Sequence, residues 1–133
     1  MATRLDYVPT ILLVEDDEDA RAELKQMLQR SGYRVVDTDN GRDAATGARY
    51  ARPDLLFVDL DVPLLYELTA ARRIVQQARL GQLPVVLITH GSEAEEYPLE
   101  ANVRRNEYVT RLADYEQLEH LLEYLLPTGP AAA

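Results

Sequence analysis

The chain contains no cysteine and no tryptophan, and only one phenylalanine. Of its 14 basic residues a single one is lysine, Lys25. Without cysteine there is no disulfide, no thiolate metal site and no cysteine nucleophile. Positive charge is scarce as well: 23 acidic residues against those 14 leave a formal net charge of -9. That balance excludes a general nucleic-acid binder, because phosphate contacts need clustered Lys and Arg. Long hydrophobic runs are also missing. The aliphatic run near the start, Ile11–Val14, is too short for a signal segment and is followed by acids. No stretch approaches the roughly 20 apolar residues of a membrane span. These absences point to a soluble cytoplasmic protein with no membrane or nucleic-acid partner. A length of 133 residues suits one domain with a sizeable core.

What is present is an alternation of short apolar runs with helical patterns. Ile11–Val14, Val35-Val36, Leu55–Val58, Val85–Ile88 and Tyr108-Val109 read as five strands. Between the first two, Ala20, Leu24, Met27 and Leu28 form one apolar stripe on a helix from Glu18 to Arg30, which Ser31-Gly32 ends. A weaker helix follows Asn40-Gly41, and another is expected over about Leu65–Leu80. Ser92 and Glu95 form a capping-box pattern that Pro98 cuts short. The last helix begins at Asp114–Gln117, with Leu118, Leu121, Leu122, Leu125 and Leu126 inward. Fully apolar strands alternating with helices indicate an α/β fold, a doubly wound parallel sheet covered on both faces. The expected boundaries are an N-terminal extension over 1–9, the domain over 10–126, and a disordered tail over 127–133.

In an open α/β sheet, ligands bind outside the carboxyl ends of the strands. There the sequence places Glu15, Asp16 and Asp17 after the first strand and Asp59 and Asp61 after the third. Thr89 and His90 follow the fourth, and Thr110 and Arg111 the fifth. Singly, each has an ordinary explanation: Asp17, Glu18 and Asp19 suit the first turn of a helix, and Thr is common at strand ends. Together they are harder to dismiss. Carboxylates converging from two strands raise each other's pKa unless a cation lies between them. Mg²⁺, which takes oxygen ligands and keeps its waters, answers that need. A carboxylate beside such an ion can attack phosphorus and hold an acyl phosphate.

The stretches ILLVEDDED, PDLLFVDLDVP, PVVLITH and NEYVTR resemble the receiver domain of two-component response regulators, a CheY-like fold, over roughly residues 8–126. The resemblance implies a five-stranded parallel sheet of order 2-1-3-4-5. It implies that Glu15 and Asp16 hold Mg²⁺ with Asp59 and the backbone carbonyl of Asp61. It makes Asp59 the phospho-acceptor, Thr89 the hydroxyl that follows the phosphoryl group, and Tyr108 the switch aromatic. The implied partners are a histidine kinase or phosphotransfer protein and a downstream protein. The latter would dock on the face of the fourth helix, fifth strand and fifth helix, and a homodimer stays open.

Several positions depart from the family pattern. Arg111-Leu112 stands where the family has Lys-Pro, and Lys25, in the first helix, does not replace that lysine. Arginine keeps the charge with a different reach and a planar fork. His90 follows Thr89 where a small residue is usual, and Leu64-Leu65-Tyr66-Glu67 replaces a glycine-rich loop. Pro98 and Arg104-Arg105 fall where the family has a regular fourth helix and a Gly-Ala turn. Three readings follow, the first being a single-domain regulator phosphorylated on Asp59. The second is a phosphorylation-independent interaction module. The remote third is a haloacid dehalogenase-like phosphatase, suggested by Asp59-Leu60-Asp61-Val62 but lacking that family's downstream lysine. The first reading makes the protein a signalling module and not an enzyme.

Overall fold

The computed structural model describes residues 8–39, 47, 50–59, 73, 83–89, 106–111 and 115–126, with Thr89, Val109 and Arg111 described by their backbone. Strand β1 (Thr10–Val14) is buried at every position, as a run of β-branched and leucine side chains with no polar alternation requires. β3 (Leu55–Asp59) is likewise buried throughout. β2 (Arg34–Thr38), β4 (Val85–Thr89) and β5 (Glu107–Arg111) complete one sheet. All pairings are parallel and the strand order is β2-β1-β3-β4-β5. The doubly wound fold and its 2-1-3-4-5 order are therefore as the sequence implies. Each strand runs one to three residues beyond its apolar kernel, because ladder hydrogen bonds continue past the last side chain that needs burial.

Helix α1 (Glu18–Arg30) forms where the apolar stripe predicts it. Its N-cap is Asp17, whose carboxylate accepts the Ala20 N–H at 2.8 Å, and Glu18 and Asp19 complement the dipole in the first turn. Its end is a Schellman motif. The Tyr33 N–H donates to the Leu28 carbonyl at 3.2 Å and the Gly32 N–H to the Gln29 carbonyl at 3.0 Å. Gly32 takes φ +100°, a conformation that side chains resist. The motif turns the chain directly into β2, and Tyr33 joins Leu28 in the core.

Strand alternation divides the core in two. Ile11, Leu13, Leu55, Phe57, Val86 and Ile88 face Leu24 and Leu28 of α1 and Leu118 and Leu122 of α2 (Tyr115–Leu125). Leu12, Val14, Leu56, Val58 and Leu87 are buried on the opposite face. There a Cβ placed on Gly47, a helical residue, would lie 3.8 Å from Leu12 Cδ1. Helical residues Gly47, Tyr50, Ala51 and Arg73 mark the expected second and third helices. The remainder of those helices, the capping box at Ser92 and Glu95, Pro98, Arg104-Arg105, residues 1–7 of the expected 1–9 extension and the expected tail 127–133 lie outside the described residues.

Asp54 locks the entry side of the sheet. Its Oδ2 accepts the Thr10 N–H at 2.8 Å while its own N–H donates to the Thr10 carbonyl at 2.7 Å. Asp54→Ala leaves the buried Thr10 N–H without an acceptor and is expected to lower stability by about 1–3 kcal/mol. Denaturant unfolding monitored by circular dichroism checks this, and an unchanged midpoint would refute the clamp.

Candidate functional site at the carboxyl edge of the sheet

The carboxyl ends of β1, β3, β4 and β5 lie side by side, and the polar residues read from the sequence collect there. Val14 pairs with Val58, so Glu15 stands level with Asp59, the last residue of β3. The Glu15 N–H donates to the Thr38 carbonyl at 3.1 Å, which extends the β1–β2 ladder by one step and directs this acid inward. Glu15 is 2% exposed and Asp59 1%. These are the two deepest acids of the described residues. Asp16 is exposed at the mouth, and Asp17, Glu18 and Asp19 point to solvent. The acidic run therefore splits into one buried carboxyl, one at the rim, and three that serve the helix start.

The carboxyls of Asp59 and Asp16 both favour the protonated form of Glu15. Its Oε2 accepts the Asp17 N–H at 2.9 Å. Its Oε1 is buried and meets no hydrogen-bond donor among the described residues. Burial foremost, then the carboxyl of Asp59, pushes the Glu15 pKa up to about 9, against a smaller opposing pull from the Asp17 N–H. At neutral pH and without a cation, this carboxyl holds a proton facing another acid.

The donor set fits a hard divalent cation. Two buried carboxyls from adjacent strands and one oxygen without a donor offer the ligand type and charge that Mg²⁺ takes. No three acidic or imidazole groups among the described residues form a closed cage. The backbone carbonyl of Asp61, the remaining expected ligand, lies outside the described residues, as do His90 and Leu112.

Asp59 pairs with Ile88, and Thr89 with Arg111. The backbones of Thr89 and Arg111 thus end adjacent strands one step beyond Asp59, where the sequence expects them. Tyr108 pairs with Val86 and is half-buried. The structure adds two residues that sequence patterning passed over. Arg21 Nη1 donates to the Glu15 carbonyl at 2.9 Å, and Arg21 Nε lies 3.3 Å from Asp37 Oδ2. Lys25 Nζ meets the other Asp37 oxygen at 3.0 Å. Nothing in the spacing of Arg21 and Asp37 announces this contact, because it depends on how α1 crosses β2.

Comparison with known proteins gives a consistent picture. The family model described as response regulator receiver domain matches residues 11–123. Protein PilH of Pseudomonas aeruginosa is 28% identical over 108 residues, covering 81% of this chain and 89% of PilH. Transcriptional regulatory protein AfsQ1 of Streptomyces coelicolor is 30% identical over 122 residues, 92% of this chain. The chain spans only 53% of AfsQ1, about half its length. Among solved structures, the receiver domain of sensor histidine kinase PA1611 from Pseudomonas aeruginosa PAO1 superposes with a TM-score of 0.70 at 27% identity. The alignment covers 90% of this chain and 98% of that one, which carries a magnesium ion coordinated in its active site cleft.

The raised Glu15 pKa has a sign that can be tested. The folded protein keeps this proton up to about 9, whereas the unfolded chain releases it near 4.5. The native state therefore binds more protons between those values, and stability from this group falls as pH rises through the window. In metal-free buffer, Glu15→Gln is expected to flatten that fall and to be more stable than wild type at pH 8 by about 1–3 kcal/mol. Parallel pH-dependence curves for the two proteins, from urea unfolding with a chelator present, would contradict the protonated pair.

Proposed function

The chain belongs to the response regulator receiver domain family, and from that premise we propose that Asp59 accepts a phosphoryl group from a phosphohistidine donor on a histidine kinase or phosphotransfer protein. The observation that supports this most is the buried Glu15–Asp59 pair with its donorless oxygen. Such a pair is an unfavourable structural choice unless a cation and a phosphoryl group use it. Glu15, Asp16 and Asp59, with the backbone carbonyl of Asp61, would hold Mg²⁺, which when bound neutralises charge on the phosphoryl oxygens.

The chain's own residues supply the rest. The Asp59 carboxylate attacks phosphorus in line with the phosphorus–nitrogen bond of the donor. That bond breaks, the electron pair leaves with the imidazole, and an aspartyl phosphate remains. Ile88, which pairs with Asp59 and is fully buried, keeps bulk water from one side of the acyl phosphate and so slows its hydrolysis. Thr89 donates its hydroxyl hydrogen to a phosphoryl oxygen, and Arg111 supplies the cation that the family takes from lysine. A guanidinium approaches as a planar fork, so it reaches two phosphoryl oxygens where an ammonium offers a point charge. The half-buried Tyr108, three residues before Arg111 on β5, then changes its packing and alters the face that a downstream protein reads.

The protein acts in this reading as the recipient of a group transfer and not as a turnover enzyme. Its place is the cytoplasm, a setting that a cysteine-free chain of net charge -9 suits. No described helix is long and apolar enough to cross a membrane. The substitutions His90, Arg111 and Leu112 favour a second reading, an interaction module that works without phosphate.

One experiment separates them. Incubated with a small acyl-phosphate donor and Mg²⁺, the wild type is expected to gain one phosphate by intact-mass spectrometry. Asp59→Asn, or chelation of the metal, abolishes the gain. Equal labelling of wild type and Asp59→Asn, or no labelling of either, would sink the phospho-acceptor assignment. If partner binding also survives Asp59→Asn unchanged, the interaction-module reading replaces it.

A further inference from the structure

Both backbone polar groups of Glu15 are held from the same place, the end of β2. Its N–H donates to the Thr38 carbonyl directly. Its carbonyl accepts from Arg21 Nη1 at 2.9 Å, and the same guanidinium is anchored through Nε to Asp37, the residue before Thr38. Lys25 Nζ completes the Asp37 carboxylate at 3.0 Å. The side chains of Arg21 and Asp37 are 20% and 27% exposed, so solvent screens this pair less than an open surface pair. Reaching a carbonyl and a carboxylate at once needs the planar fork of arginine, which a lysine ammonium lacks.

We propose that Arg21 is a positioning residue for the pocket. By bridging the Glu15 carbonyl to Asp37 it fixes the turn between β1 and α1, and with it the direction of the Glu15 and Asp16 carboxyls. This role rests on the reading of the pocket as a Mg²⁺-dependent phosphoryl acceptor. Arg21 touches none of the reacting atoms and acts through the backbone of Glu15. The turn needs such a strut because an ion takes its ligands at fixed positions, and each departure of a carboxyl from that geometry lowers the fit. Lys25 shares Asp37 but makes no contact with Glu15 among the described residues, so it stiffens the helix–strand contact without aiming the acids.

The difference between the two cations supplies the test. Arg21→Gln and Lys25→Met each remove one positive charge from Asp37. Mg²⁺ affinity is measured by calorimetric titration. Hydrogen exchange of the Asp17 amide, which is bonded to Glu15 Oε2 at 2.9 Å, is measured in metal-free protein. Arg21→Gln is expected to weaken Mg²⁺ binding roughly tenfold and to speed Asp17 exchange. Lys25→Met should leave both within about twofold, since additive distant effects are small. Arg21→Lys keeps the charge and the stem, guards against misfolding, and should show the same loss as Arg21→Gln. Full affinity in either Arg21 variant, or an equal loss in Lys25→Met, overturns the role. Wild-type protein that takes up no Mg²⁺ removes the pocket reading and this role together. Wild type that binds Mg²⁺ no better than Arg21→Gln removes this role alone.

Discussion

Two carboxyl groups share one buried space at the carboxyl edge of the sheet, and most of the surrounding structure serves to hold them there. Glu15 and Asp59 follow the wholly apolar runs Ile11–Val14 and Leu55–Val58 of neighbouring strands. The register that aligns Leu13 with Phe57 in the core also aligns Glu15 with Asp59 one pleat further on. A slip of one residue would part the two acids and draw a polar strand end into the apolar layer. The strength of the hydrophobic register is thus what enforces an arrangement that electrostatics alone would oppose.

Around that pair the hydrogen bonding is asymmetric. Glu15 has its N–H, its carbonyl and one carboxyl oxygen satisfied, by Thr38, Arg21 and Asp17 respectively. Only Oε1 meets no donor among the described residues. A fully satisfied acid would be a structural brace, and a wholly unsatisfied one would unfold its strand end. One open oxygen on an otherwise fixed residue is what the proposed Mg²⁺ site would use.

Much of this was legible before folding. Unbroken apolar runs named the buried strands, and i, i+4, i+7 spacing named α1, because its apolar stripe is regular and Ser31-Gly32 carries helix-end chemistry. β2 was read only as Val35-Val36, since its outer positions are half-exposed and leave no apolar signature. The run from Glu15 to Asp19 was legible as acidic but not as divided. Which acid caps the helix and which one enters the core depends on where the last ladder bond falls, and that bond is to Thr38. The rarity of lysine was visible, but its use was not. Lys25 pairs with Asp37 on β2, a helix–strand ion pair. The position that the family fills with lysine carries Arg111 instead.

The sequence by itself determined the parallel sheet and the set of polar residues at its carboxyl edge. Segments that are apolar on both faces must be covered on both faces, and the first polar residue after each one must lie at its end. Only the tertiary structure decided that Glu15 and not its acidic neighbours is buried against Asp59, that its pKa rises for that reason, and that Arg21 reaches across to Asp37. Those outcomes depend on strand register and helix crossing, which join residues distant in the chain. They also depend on desolvation, a property of the folded surroundings that no spacing of letters encodes.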